Sequence, residues 1–337
     1  MTSAMQKALS GLVLTKSDDE YLSQIGNLES KAYLAPVADL REQAKASMKY
    51  RPDGLGLPFG GTSMMRFMPG RWTLWSGVTH SGKTQFVRFL MAHAMKERER
   101  VLFASLEEEP VEVVEEFASL MCATRDLNEK RLDAAIDWMD ERLLIFNHSG
   151  FIEPDVIVGA AIYAAENLGV TQVVIDSMMM LSLRKDDFEG QREFGMLLRR
   201  VTRQYNIHIH LIAHPRKSGS SQDQMDLNDI QGAQELAALA DNIITLGRVP
   251  KSLQKRSDWG IVNEWTGTVL RAWKQRGHWN KVGIMELAYL ADTRQWANGP
   301  NQGPRRFMMD ELYPELGIDL MGQNNSYDDG QWASGLL

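Results

Sequence analysis

The sequence predicts an α/β protein: a mainly parallel central sheet flanked by helices, preceded by an N-terminal arm and a linker helix. Three observations carry this. From Arg71 onward, apolar strand-like runs alternate with loops and helical segments, the pattern that a parallel sheet with crossover helices leaves in a chain. After Lys83 the residues Val87, Leu90, Met91 and Ala94 fall at i, i+3, i+4 and i+7 and share one helix face. The 337 residues, 44% hydrophobic, suffice for one large core with an appendage.

Taken in order, residues 1–34 are polar and weakly patterned and read as an arm. Residues 35–48 favour helix with sparse apolar positions, and RPDGLGLPFGG ends that helix with Pro and Gly, so 35–60 reads as a linker helix and loop. The sheet domain is expected over 61–312. Its first strand is 72–75, followed by strands at 101–105, 143–146, 172–175, 207–213 and 242–246. Phe194, Leu197, Leu198 and Val201 mark a second amphipathic helix, and 267–273 and 281–287 read as late antiparallel strands. Residues 313–337, ending in MGQNNSYDDGQWASGLL, are expected to be a polar tail with little to bury.

Composition excludes several classes. The formal charge of -7, from 37 Lys+Arg against 44 Asp+Glu, is not that of a passive nucleic-acid coat, so any such contact must come from local basic loops. The single cysteine, Cys122, excludes an internal disulfide framework and a cysteine-based zinc ribbon, and reads as a small buried hydrophobe. The first twenty residues lack a basic start followed by an apolar run. No stretch approaches the ~18 apolar residues of a membrane span. A soluble, cytoplasmic protein without a membrane partner is the expectation.

The strongest signal is GVTHSGKT at 77–84, which matches G-x-x-x-x-G-K-[ST] between a strand and a helix, as a P-loop requires. Glycines in such a loop let backbone N–H groups curl around phosphates at a helix N-terminus. Gly77, Thr79, His80, Ser81, Gly82, Lys83, Thr84 and Gln85 are therefore the expected nucleotide contacts, with Lys83 reaching the terminal phosphates and the Thr84 hydroxyl ligating Mg²⁺. The apolar run Val173-Val174-Ile175 ends in Asp176, the second expected Mg²⁺ contact. A base must orient the attacking water, and strand 101–105 leads to Glu107, Glu108 and Glu109. Glu107 is the first choice and Glu108 the second; Glu108 and Glu109 also suit a helix start favoured by its dipole.

SLEEEPVEVVEEFASL after the second core strand, VVIDSMMMLS at the Asp176 strand and IAHPRK after the next strand together resemble the RecA-like ring helicase family that includes Twinkle, the phage primase-helicases and the DnaB-type replicative helicases. The resemblance spans about 37–292 and concerns the helicase part only. It implies a hexameric homo-oligomer driven by ATP, or another NTP or dNTP, with Mg²⁺. Such a ring moves 5′ to 3′ on single-stranded DNA at replication forks, with primase, polymerase or loader as partners, in a phage or bacterial host cytoplasm. VADLREQAKASMKYRPDGLGLPFGG is similar to the segment by which each subunit docks on its neighbour, and KAYLAPVADL to the joint after a primase domain. No zinc-module cysteines accompany it, so priming by this chain is not expected.

The resemblance also implies residue roles. His214 occupies the place of a γ-phosphate sensor. Lys274 and Arg276 match a pair that completes the neighbouring subunit's site, with Arg276 as an arginine finger worth on the order of 10³ or more in rate. Arg248 matches a residue that stacks on the nucleotide base. Two loops, 184–192 and 216–233, are expected to face DNA. In the second, Arg216, Lys217 and Ser218 open the loop and Gln231, Gly232 and Ala233 close it before a helix. Such contacts read backbone, so binding is expected to be nonspecific and salt-sensitive. The tail with Asp328, Asp329 and Trp332 is similar to tails that recruit replication partners in phage members of the family, and equally fits a disordered end without a partner.

Other residues read as structure. His208 and His210 alternate on one strand and, with His214, invite a metal reading, but core histidines fit better because this spacing does not define a ligand geometry. Trp72, Trp75 and Trp273 lie in strands and read as core. The competing function is a RecA- or RadA-like DNA recombinase or recombination mediator, which shares Lys83, a strand-end Glu and Asp176. A third is a nucleotide-driven switch or packaging adaptor that binds a protein instead of DNA.

Overall fold

The computed structural model describes residues 36–42, 45, 54–59, 65–77, 81–183, 187–214, 233–248, 267–276, 282–298 and 303–318. Two compact units divide the chain, Met1–Pro52 and Asp53–Leu337. In the first, Val37–Leu40 forms a 3₁₀ turn with no buried residue. Of the expected linker helix, Arg41, Glu42 and Lys45 are helical, and residues 35, 43, 44 and 46–48 lie outside the described residues.

In the second unit the short strands β1 (Leu55–Gly56) and β2 (Arg66–Phe67) pair antiparallel. The expected docking loop does not stand off as a linker throughout: Leu55, Leu57 and Phe59 are buried in this unit's own core. Three apolar side chains among the Pro and Gly residues outweigh the punctuation, because burying each removes apolar surface from water.

The main sheet comprises β3 (Arg71–Gly77), β4 (Val101–Ser105), β5 (Leu143–Ile145), β6 (Gln172–Asp176), β7 (His208–Ile212), β8 (Asn242–Arg248), β9 (Gly267–Gln275), β10 (Gly283–Leu290) and β11 (Gln295–Ala297). Its order among the described residues is β11-β10-β9-β8-β3-β7-β6-β4-β5. Neighbours from β8 through β3 to β5 are parallel, whereas β9, β10 and β11 join by antiparallel pairing. Both late strands were expected; β11 was not, because three residues are too few to write a period.

Side chains alternate between two cores. Trp75, Val101 and Phe103 face α1 (Lys83–Lys96), α2 (Pro110–Met121) and α3 (Glu129–Met139), while Trp72, Leu74, Leu102 and Ala104 face α4 (Pro154–Leu168), α5 (Phe188–Tyr205) and α6 (Ala233–Leu239). Helix α1 buries Phe86, Phe89 and Met95 as well as the expected face, since strands lie beneath it and β11 beside it. Helix α5 keeps the predicted face of Phe194, Leu198 and Val201, with Leu197 only partly buried. Its first turn takes in Phe188 to Arg192 behind the Asp187 cap, so that part of the expected 184–192 loop is helix.

The boundary expected at 312 moves outward. A short helix, α7 (Leu312–Glu315), buries Tyr313, and Leu316 and Ile318 join the core. The Tyr313 hydroxyl donates to the Met121 carbonyl at 2.9 Å and accepts from the Phe307 and Met308 amides at 2.8 and 3.2 Å. The remaining tail, including Asp328, Asp329 and Trp332, lies outside the described residues. Among the described residues no helix is long and apolar enough to cross a membrane.

His208 and His210 sit in the core and are satisfied there. His208 Nδ1 donates to the Met68 carbonyl at 2.7 Å and its Nε2 meets Thr73 Oγ1 at 2.8 Å; His210 accepts from Trp75 Nε1 at 3.0 Å and meets Gln172 Oε1 at 3.1 Å. Burial holds His208 down at about 4 and His210 well below the ordinary imidazole value, so both are neutral. Cys122 is buried, its thiol pushed up to about 11 by burial.

Candidate functional site

The C-terminal ends of β3, β4, β6 and β7 lie side by side, the edge where ligands bind in parallel α/β sheets. The phosphate loop leaves β3 there. Gly77 has φ 153°, and a Cβ on it would lie 2.1 Å from the Leu246 carbonyl oxygen. Only glycine fits where the end of β3 pairs with β8. Gly82, at φ 85°, caps α1 in the left-handed conformation that favours glycine, and a Cβ there would only touch the Trp296 ring at 3.4 Å. The sequence pattern names both glycines; the reason for Gly77 lies in β8, remote in sequence, and that for Gly82 in its own left-handed backbone.

Lys83 opens α1, buried, with its Nζ donating to the Gly77 carbonyl at 2.9 Å. Burial lowers its pKa, opposed by the charges of Asp176 and Glu107. Asp176 ends β6 fully enclosed. Burial pushes its carboxyl up to about 6 against a hydrogen bond from Thr84 and the charge of Arg88. A carboxylate and a hydroxyl in contact beside a phosphate loop are the hard oxygen donors that Mg²⁺ accepts along with nucleotide phosphates, so the residues present fit that ion. Among the described residues no group of three or more His, Cys, Asp or Glu forms a separate metal cage.

The three consecutive glutamates part company. Glu107 faces the site: its Oε1 accepts from the Ser177 hydroxyl and lies 3.3 Å from His214 Nε2. The His214 hydrogen bond is the main influence lowering the Glu107 pKa, with burial opposing and Ser177, then the charges of His214 and Lys83, assisting. Glu108 turns back to pair with the buried Arg88 and to accept from Ser105 Oγ at 3.1 Å. Glu108, expected as a charged helix start or the second choice of base, stands just before the helix cap and is claimed by a guanidinium one turn beyond Thr84. Glu109 caps α2 in a reciprocal box with Glu112 and accepts from Ser149 Oγ at 2.7 Å.

Ser177 and Arg88 were not singled out from sequence. A serine directly after a strand-end Asp, and an arginine spaced to share the buried face of α1 with Thr84, are the signals that point to them. Gln85 donates to the Arg294 carbonyl at 3.1 Å, tying the loop's helix to the β10–β11 turn, and Ser81 Oγ is buried. Thr79 and His80 lie outside the described residues. So do Arg216, Lys217, Ser218, Gln231 and Gly232, while Ala233 is the first residue of α6. Arg248 ends β8, two residues beyond the Leu246 that pairs with Gly77, so its backbone stands at the phosphate-loop edge.

Lys274 and Arg276 stand at the other edge. β9 runs antiparallel to β8, and Gln275 between them pairs with Asn242, the first residue of β8. Lys274 Nζ donates to the Ala237 and Ala238 carbonyls at 2.7 and 3.0 Å, and Arg276 to Ala238 at 3.1 Å. Arg276 also lies 3.6 Å from the buried Asp241 carboxylate. A strand's length separates this pair from the chain's own phosphate loop.

A sequence profile of the KaiC ATPase family matches residues 60–256, more than half of the 337 residues. No curated protein matches the chain by sequence. Among solved structures, one ATPase domain superposes with TM-score 0.64 at 17% identity, covering 79% of this chain and 99% of that one. A DnaB-like replicative helicase, described with its primase interactions, superposes with TM-score 0.62 at 18% identity, covering 88% of this chain and 75% of that one. At these identities the likeness is one of fold.

Proposed function

The chain belongs to the KaiC family of ATPases and has the RecA-like, nucleotide-binding fold, and from that premise we propose that it is the ATP-driven motor of a replicative DNA helicase. The observation that carries this reading is the division of candidate machinery between the two ends of the sheet. Phosphate loop, Asp176 and Glu107 occupy one end; Lys274 and Arg276 occupy the other. A chain arranged this way completes a nucleotide site only with a second copy, head to tail, and that heterologous contact closes into a ring when the rotation allows.

In this reading Lys83 and the loop amides hold the phosphates, and Thr84 and Asp176 would hold Mg²⁺, which when bound neutralises charge on the phosphate oxygens. Glu107, kept ionised, orients the attacking water and accepts its proton. The neighbour's Arg276 stabilises the charge developing on the transferred group. His214 lies 3.3 Å from Glu107 and is followed in sequence by Arg216 and Lys217, so the residue that contacts the base stands at the start of the expected DNA loop. The motor domain extends through at least Ile318.

The test is ATP-driven unwinding of a forked DNA duplex with two single-stranded tails, against the same fork lacking its 5′ tail. Unwinding that needs the 5′ tail supports a ring translocase of 5′ to 3′ polarity. Hydrolysis stimulated by single-stranded DNA without unwinding, at any concentration that assembles the protein, favours the recombinase alternative. Hydrolysis indifferent to DNA favours a protein-binding switch.

A further inference from the structure

The sheet edge remote from the phosphate loop holds a further cation beside the Lys274–Arg276 pair. Helix α5 lies against α6 at Gly195, where a Cβ would meet Leu239 Cδ1 at 2.9 Å and Leu236 Cδ2 at 3.0 Å. Arg199, one turn later, shares that face of α5, and Leu239 is the C-terminal end of α6. That end is where Lys274 and Arg276 donate to the carbonyls of Ala237 and Ala238. Arg199 is near enough that its charge, after burial and the charge of Arg276, helps lower the Lys274 pKa.

Among the described residues, Asp241 is the carboxylate that opposes these cations. It is 4% exposed and already engaged, 3.6 Å from Arg276 and accepting from the Trp72 amide at 3.4 Å. The Arg199 Nε is shielded from solvent and has no hydrogen-bond partner among the described residues. Like charges brought together at a partly dry edge repel, and an arriving anion relieves that repulsion while giving the guanidinium acceptors. The chain's own phosphates would sit at the opposite sheet end. An anion here therefore comes from another molecule, and a second copy of this chain arranged head to tail would present its phosphate loop to this edge.

We infer that Arg199 is a third member, with Lys274 and Arg276, of a cationic site that receives the polyphosphate of a nucleotide held by a second copy of this chain. This rests on the reading that sites are completed between subunits and extends it to a residue on a different element.

The experiment measures ATP hydrolysis by the full chain with Mg²⁺ and an oligo-dT strand. Arg199→Ala is expected to lower kcat roughly 10- to 100-fold while binding of a fluorescent ADP is unchanged, and Arg199→Lys to recover part of the rate. Mixing Arg199→Ala with Glu107→Gln subunits, which lack the base but keep the cationic edge, is expected to restore hydrolysis above either alone. The same mixture made with Arg276→Ala tests the underlying reading. Recovery with Arg276→Ala but not with Arg199→Ala overturns the Arg199 assignment and leaves the shared site standing. Recovery with neither overturns both. A wild-type rate in Arg199→Ala also overturns the assignment. Should Arg199→Ala fail to fold, Arg199→Gln, which keeps a long polar side chain without the charge, enters the same mixtures with the same outcomes.

Discussion

Replacing Asp176 by Asn should make the protein more stable and stop it working. The carboxyl is fully buried at the end of β6, and burial pushes it from its ordinary 3.8 to about 6 even with the Thr84 hydrogen bond and the Arg88 charge assisting the ionised form. A folded-state pKa above the unfolded one means that the folded protein holds this proton more tightly. The group therefore costs nothing below the unfolded value, and stability falls as pH rises through the interval to about 6, then stays low. At ~1.4 kcal/mol per pH unit, the interval corresponds to about 3 kcal/mol lost by the wild type at neutral pH, an upper bound for the gain from an uncharged isostere. Urea unfolding of both proteins without nucleotide or Mg²⁺, at pH 4 and pH 8, measures it. The stabilities should be close at the acid end, and the Asn variant should lead by about 2 kcal/mol at the alkaline end while lacking ATP hydrolysis. An advantage equal at both pH values, or none at pH 8, would falsify the argument that burying this charge costs stability.

Three further outcomes are expected. Arg276→Ala should lose on the order of 10³ in hydrolysis while fluorescent-nucleotide affinity is unchanged, and normal turnover would sink its role in a neighbour's site. Ser177→Ala removes a donor to Glu107 and should lower kcat roughly tenfold with KM held; a change confined to KM would mean that Ser177 acts on nucleotide binding instead. Tyr313→Phe strands two buried amides and a carbonyl and should cost roughly 1–3 kcal/mol in urea unfolding, whereas an unchanged midpoint would show that residues 312–318 contribute little to the domain.

Much of the fold was legible because its signals are local. The alternation of strand and helix, the face of Val87, Leu90, Met91 and Ala94, and a glycine-rich loop between a strand and a helix each occupy a short window governed by backbone geometry. The KaiC-family match and the fold shared with a solved ATPase domain and a DnaB-like replicative helicase agree with the RecA-like fold that the three motif segments implied. Legibility failed where the period was too short to count, as in β11, or where apolar residues hid among turn formers, as in Leu55, Leu57 and Phe59.

For the candidate site, the sequence by itself determined which chemical groups are present: a phosphate loop ending in Lys83 and Thr84, a strand-end Asp176 and three adjacent glutamates. Which glutamate turns inward was decided only in three dimensions, by Arg88 claiming Glu108, the α2 cap taking Glu109, and Ser177 and His214 engaging Glu107. The gathering of Arg199, Lys274, Arg276 and Asp241 at one sheet edge is likewise tertiary. Charges act over several ångströms of space whatever their separation along the chain, and only the packing of α5 against α6, with β9 paired to β8, makes these four residues neighbours.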